Sequence, residues 1–432
     1  MELTTLFIII VFVVGYVCIA IEDAIKVTKS ATALLMCAIT WTLYSLGTGD
    51  GFDLHALGDT SQTIFFLMGA MTIVEVVDQQ GGFNFVRDAL STRSKRSLLW
   101  RIAFMTFFLS ALLDNLTTSI VMIMVLRKLV ADHKDRIIYA ALIVIAANAG
   151  GAWSPIGDVT TIMLWINKSV TSLGVMKEII IPSLIAMIVP ALILQFQLKG
   201  DLQKPQADMS LAELDFSKRE RDLVFWIGVG GLVFVPIFHS VTNLPPFMGI
   251  LLALSMIWIA TELLYSRKKQ KNNKKKKRVA ALVKRIDMST LLFFLGILLT
   301  VTTLEKTHVL ENVGVWLNDV SNGNHYLVTG VIGVLSSIVD NVPLVACCMK
   351  MYAIDPNVAS DFAQDGIFWQ LLAYCAGVGG SMLIIGSAAG VVVMGLEKIS
   401  FGWYMRKITW IAFVGYIAGI AYYWLERSVL GL

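Results

Sequence analysis

The sequence predicts an all-α polytopic membrane protein of about ten full spans, built as an inverted repeat with two re-entrant hairpins and two broken helices. Three observations predict it. Of 432 residues, 56% are hydrophobic and only 15% are charged, where soluble chains carry roughly a quarter charged residues. Twelve apolar runs recur along the chain, most of them near the ~20 residues a helix needs to cross hydrocarbon. Polar motifs interrupt these runs twice, in the same order. Soluble, fibrous, disordered and disulfide-framework classes are excluded.

The runs fall at 4–21, 31–47, 61–77, 97–126, 137–166, 176–198, 222–238, 246–266, 287–304, 326–352, 367–396 and 407–425. The chain turns apolar directly after Glu2, with no basic leader or small-residue cleavage site, so the first run reads as a retained span. Lys and Arg resist translocation and mark cytoplasmic loops. Loops near 22–30, 78–101, 127–136, 199–221, 267–285 and 397–407 hold 30 of the 35 basic residues. Loop 267–285 alone holds 11, which places it in the cytoplasm, with anionic lipid a lesser role and nucleic acid disfavoured. The opposite loops are acidic or neutral, carrying Asp50, Asp53 and Asp59, then Glu305, Glu311 and Asp319, then Asp355, Asp361 and Asp365. Five cysteines, all in apolar segments, read as packing residues.

One-sided placement of the basic loops requires two segments that enter and leave on the same face. Segment 97–126 is flanked by Arg93, Lys95 and Arg96 before it and Arg127 and Lys128 after it. Its middle reads Leu113-Asp114-Asn115-Leu116-Thr117-Thr118, a polar knot that predicts a hairpin from the cytoplasm to mid-membrane. Segment 326–352 repeats the device from outside, with Ser336-Ser337-Ile338-Val339-Asp340-Asn341 at its centre. Non-helical backbone at that depth is tolerated only where protein or a wet cavity surrounds it.

Segment 137–166 carries Asn148-Ala149-Gly150-Gly151 and Pro155-Ile156-Gly157-Asp158-Val159-Thr160-Thr161, which predicts a helix broken in mid-membrane. Segment 367–396 carries the matching Gly379-Gly380 and Gly386. Gly69 and Gly296, Asp114 and Asp340, and Gly150 and Gly379 are offset by 226 to 229 residues. The span count between them gives the halves opposite orientation. Inverted repeats with interrupted helices typify secondary transporters, whose site lies near the midplane. The expected division is an N-terminal span and loop (1–30), a first repeat (31–198), a linker with a connecting span (199–245) and a second, inverted repeat (246–432).

Three carboxylates, Asp114, Asp158 and Asp340, therefore fall at mid-depth, with no Lys or Arg in the same knots. Intramembrane carboxylates are rare and mark ion or proton paths. Such a group must either bind a proton or take a cation. Neutral oxygens are supplied by Asn115, Thr117, Thr118, Asn148, Thr160, Thr161, Ser336, Ser337, Asn341 and Ser381. Oxygen ligands without Cys or His suit an alkali or alkaline-earth ion. Asp158 corresponds to Ser387, so the acidic character leans to the first half; Asp114 and Asp158 rank first as ligand and proton carrier. Asp340 has the alternative role of capping a hairpin helix. Glu75 and Glu305 are relay candidates or interface residues. An intramembrane aspartyl protease is disfavoured because Pro155-Ile156-Gly157-Asp158 replaces Gly-x-Gly-Asp and no Tyr-Asp pair lies in a span. No P-loop, HExxH or GxSxG elbow occurs.

The stretches 110–122 (SALLDNLTTSIVM), 146–162 (AANAGGAWSPIGDVTTI), 336–344 (SSIVDNVPL) and 377–390 (GVGGSMLIIGSAAG) together resemble NhaD-type sodium/proton antiporters. These belong to the ion transporter superfamily, which also holds arsenite and dicarboxylate carriers. The resemblance implies a bacterial inner-membrane protein that exports Na⁺ or Li⁺ in exchange for H⁺, with no soluble cofactor. It implies Na⁺ as cargo at Asp114, Asn115, Asn148 and Asp158. The implied partners are small ions and the lipid bilayer, not nucleic acid, with a homodimer by family analogy. Relatives carrying organic anions have Ser-Asn-Thr at the hairpin tips; Asp114-Asn115 and Asp340-Asn341 favour a cation. An anion, arsenite or dicarboxylate carrier stays the alternative, and loop 267–285 is peculiar to this chain.

Overall fold

A computed structural model of the chain describes residues 3–20, 22–82, 86, 89–90, 92–202, 217–266, 278–338 and 341–429. In the first half, α1 (Leu3–Ala20), α2 (Lys29–Thr48) and α3 (Leu54–Gln79) precede a hairpin of α4 (Lys95–Leu113) and α5 (Asn115–Leu129). A broken helix follows, α6 (His133–Ala152) and α7 (Val159–Ile166), and then α8 (Ser172–Leu194). In the second half, α9 (Lys218–Thr242), α10 (Pro246–Ser266) and α11 (Met288–Lys306) lead through α12 (Val309–Val320) to the hairpin α13 (His325–Ser336) and α14 (Asn341–Met351). The second broken helix is α15 (Ile367–Gly379) with α16 (Ala388–Glu397), followed by α17 (Phe401–Lys407) and α18 (Thr409–Val429).

Among the described residues, eight helices are long and apolar enough to cross a bilayer, or nine if the bent pair α17–α18 counts as one. The arms α13 and α14, of 12 and 11 residues, reach only about 18 Å each. Hydrocarbon is about 30 Å thick, so neither arm crosses it alone. This is a multi-pass, all-α membrane protein. Its outward faces are apolar where lipid replaces water, as at Trp226, Ile237 and Val241 on α9 and Trp410 and Trp424 on α18. Inward hydroxyls return to their own helix: Thr72 Oγ1 donates to the Met68 carbonyl and Thr300 Oγ1 to the Gly296 carbonyl, each at 2.7 Å.

Helix starts follow the local chemistry. Thr28, Asp53, Thr171 and Asn324 cap α2, α3, α8 and α13, and Ser217 forms a capping box with Glu220. Asp53 also pairs with Lys306 at 2.9 Å, and that bond holds its carboxyl below the usual range. Arg278 pairs with Glu262 at 3.3 Å beyond α10. Residues 267–277 of the predicted basic loop lie outside the described residues.

The repeat is visible in the packing. Ser110 Oγ of the first hairpin donates to the Ala147 carbonyl at 2.6 Å, and Ser336 Oγ of the second donates to the Ala376 carbonyl at 2.8 Å. A β-carbon at Gly150 would overlap the Phe107 carbonyl, and one at Gly379 the Gly333 carbonyl. Likewise Gly69 lets α3 meet Ile250 of α10, while Gly296 lets α11 meet the Ala33 backbone of α2. At Gly150, Gly379 and Gly296 the obstacle is backbone, so only glycine permits those approaches.

Two clamps tie the halves together. Glu397 at the end of α16, its side chain wholly buried, receives Arg127 Nε and Arg136 Nε at 2.6 Å each, and Arg127 also donates to the Leu396 carbonyl. At the opposite end, Asp365 before α15 accepts the Thr171 N–H at 2.7 Å and the Thr171 hydroxyl at 2.6 Å. Each clamp joins the start of one broken helix to the exit of the other.

Candidate functional site

The first hairpin turns at a single residue. Asp114 lies between α4 and α5 with φ 111° and ψ 158°, a conformation otherwise left to glycine. Its side chain caps α5: the Thr117 N–H donates to Oδ1 at 2.7 Å and the Thr117 hydroxyl to Oδ2 at 2.8 Å. Among the described residues, no Lys or Arg pairs with it.

Asp158 plays the same part for α7. It follows the break at Trp153–Gly157, where Pro155 withholds an N–H and the Ser154 hydroxyl donates to the Ala111 carbonyl at 2.5 Å. Its Oδ1 accepts the Thr160 N–H at 2.9 Å and the Thr160 hydroxyl at 2.8 Å. Asp158 is 1% exposed. Both carboxylates thus sit at the positive end of a half-helix, and a charge there is partly offset by the helix dipole and capping donors.

Asn115 joins the two. Its Nδ2 donates to Asp158 Oδ2 at 2.7 Å and to Asn148 Oδ1 at 3.0 Å. Asn148, fully buried on α6, passes the connection on: its Nδ2 donates to Ser387 Oγ at 3.0 Å. The hairpin tip, both strands of the break and the second broken helix therefore share one polar chain. Its carboxylate and amide oxygens could ligate a hard cation, and its carboxylates could take a proton in the cation's place. Among the described residues, no group of three or more His, Cys, Asp or Glu side chains gathers.

The structure brings Asp114, Asn115, Thr117, Asn148, Asp158 and Thr160 into this constellation. Other sequence candidates spend their hydroxyls on nearby backbone. Thr161 donates to the Ala152 carbonyl at 3.3 Å, Ser337 to Val334 and Ser381 to Val378 at 2.7 Å each, and Ser336 holds Ala376 as described. The Thr118 hydroxyl is buried with no partner among the described residues. Asn341 is buried at the start of α14, and Asp340 lies outside the described residues. Glu75 sits half-buried on α3, and Glu305 pairs with Lys350 at 3.0 Å. Ser387 was not among the candidates, although the repeat aligns it with Asp158; a serine carries no charge to draw notice.

A cavity of about 260 Å³ opens beside α7 on the side of the Asp53–Lys306 pair, lined by Gln62 and Thr63 of α3, Met163 of α7, Asn167, Thr302 of α11 and Ala346 of α14.

The chain is similar to known proteins in sequence and in fold. The family model described as citrate transporter (CitMHS) matches residues 16–373. Sodium/proton antiporter 1 of Arabidopsis thaliana is 46% identical, over 96% of this chain and 71% of its own. The Na(+)/H(+) antiporter NhaD of Alkalimonas amylolytica is 30% identical, over 97% of this chain and 90% of its own. Among solved structures, the Alcanivorax borkumensis YdaH transporter superposes with a TM-score of 0.57 at 12% identity, covering 93% of this chain and 97% of its own. That likeness concerns the fold.

Proposed function

The chain belongs to the citrate-transporter (CitMHS) family, together with relatives named sodium/proton antiporters, and from that premise we propose that it is a secondary antiporter exchanging Na⁺ or Li⁺ for H⁺. The observation that carries the reading is the chain Asp158–Asn115–Asn148 beside Asp114, set where two half-helices begin. A desolvated carboxylate binds either a proton or a metal ion, so arrival of one expels the other. Caps from Thr117 and Thr160 hold both carboxylates in place while the occupant changes. Asn115 and Asn148 offer neutral oxygens that can replace part of the ion's water shell. No step calls on a soluble cofactor; the proton gradient drives the exchange.

The proposed location is an energised membrane, the bacterial inner membrane among them; the relatives come from bacteria and from a plant. Positive-inside topology puts Arg127, Arg136 and the basic loops in the cytoplasm and the cavity beside α7 on the outside. We propose that this cavity gives the ion its outer approach to Asp158. A homodimer is proposed by family analogy alone.

The test is reconstitution of the full chain into proteoliposomes with an internal pH dye. Na⁺ or Li⁺ should collapse an imposed ΔpH, and Asp114→Asn and Asp158→Asn should each abolish that response while purifying as monodisperse protein. Normal exchange in both variants would refute the site. The family's description favours a second reading, an organic-anion carrier. Carboxylate uptake that needs Na⁺, with no ΔpH collapse on Na⁺ alone, would select it.

A further inference from the structure

Ser387 begins α16 with its own hydroxyl as the cap, accepting the Gly390 N–H at 3.2 Å, and it is 3% exposed. It stands where the first half has Asp158. Its partner Asn148 is a buried primary amide, whose two ends are nearly equal in shape and opposite in chemistry: one accepts, the other donates. Which end faces the cation site decides whether Asn148 attracts or repels a positive ion.

The orientation follows link by link from the one group that is acceptor-only when charged. Asp158 Oδ2 requires a donor, so Asn115 presents its Nδ2. That same Nδ2 lies 3.0 Å from Asn148, which must then present Oδ1. The Asn148 Nδ2 is left pointing away, into a fully buried position that would cost dearly without an acceptor. Ser387 Oγ meets it at 3.0 Å. A turned amide would set N–H against N–H at Asn115 and aim a donor at the ion.

We propose that Ser387 is a positioning residue of the cation site, its hydroxyl oxygen taking the Nδ2 end of the Asn148 amide while Asn115 takes the carbonyl end. It touches no ion itself. Residues that orient ligands in this way commonly govern affinity by ten- to a hundredfold. The second half of the repeat, lacking a carboxylate at this position, contributes an acceptor for the Asn148 amide instead. The inference rests on the exchange reading above, since it concerns that same cation.

The test is Na⁺-dependent exchange by the reconstituted full chain as Na⁺ is varied at fixed pH, for wild type, Ser387→Ala, Ser387→Gly and Ser387→Thr. The alanine and glycine variants should raise the KM for Na⁺ by about tenfold or more. Their rates at saturating Na⁺ should change by less than about twofold. Threonine, which keeps the acceptor, should stay near wild type. Glycine separates orientation from capping, because it is a tolerable N-cap and alanine is not. A wild-type KM in the alanine variant overturns the proposal. So does a glycine variant that behaves as wild type while alanine is impaired, which would leave only a helix cap. Absence of exchange in the wild type instead overturns the antiport reading, and this proposal with it.

Discussion

At the scale of single residues, Asp114 concentrates two demands on one position. Its carboxylate caps α5, and its backbone occupies a region that side chains avoid. Holding a non-glycine residue there costs about 1–3 kcal/mol. The capping bonds to Thr117 return part of that cost, and the remainder is the stability given up to keep a carboxylate at the hairpin tip. Comparing Asp114→Gly with Asp114→Ala reads the backbone contribution together with glycine's better tolerance as an N-cap, since neither keeps the carboxylate. The glycine variant should be the more stable by about 1–2 kcal/mol in thermal or denaturant unfolding of detergent-purified protein. Equal stabilities would show that the turn is unstrained.

The tip was legible because an acidic residue inside an apolar run has few reasons to be there. Ser387 was not legible, for its importance lies in the neighbour it meets. Asn148 and Ser387 are 239 positions apart, and nothing local to either residue announces the bond.

At the scale of helices, two broken helices are locked end to end across the halves. Glu397 is the inner lock, its buried carboxylate shared by Arg127 of α5 and Arg136 of α6. Removing one partner of a wholly buried pair costs about 3–5 kcal/mol. Arg127 is still 44% exposed, so the cost here is less. Glu397→Gln should destabilise the chain by about 1–3 kcal/mol, read as a lower melting temperature of the purified protein, and Glu397→Ala by more. An unchanged melting temperature in both would mean that helix packing alone unites these elements. In the sequence this glutamate sits at a span end among basic residues, indistinguishable from a solvated loop charge.

For the whole molecule, the opposed hairpins give the chain two faces of different character. The Glu397 clamp with Arg127 and Arg136 lies on one, the Asp365 clamp, the Asp53–Lys306 pair and the cavity beside α7 on the other. Labelling with a membrane-impermeant maleimide in intact cells tests that arrangement. A cysteine at Gln62, on the cavity wall, should react from outside, and one at Lys134 only after permeabilisation. The native cysteines supply a weak background, three of the five being buried. Reaction of both, or of Lys134→Cys alone, would invert or abolish the proposed topology.

The sequence by itself determined the class, most of the apolar spans (about ten expected, eight or nine found among the described residues), the duplicated hairpin and broken-helix segments, and the carboxylates Asp114 and Asp158 at their interruptions. Each of these follows from a local cost: apolar length against bilayer thickness, lysine against translocation, a carboxylate or a glycine inside hydrocarbon. Only the tertiary structure decided which oxygens converge. Thr160 reaches Asp158, whereas Thr161 one residue later turns to the Ala152 carbonyl. Ser336, Ser337 and Ser381 satisfy backbone carbonyls, because a hydroxyl away from water gains from any acceptor within reach. For Ser336, which reaches the Ala376 carbonyl 40 positions on, and for Asn148 with Ser387, the choice depends on how separate helices are turned against one another, and it is made only when they meet.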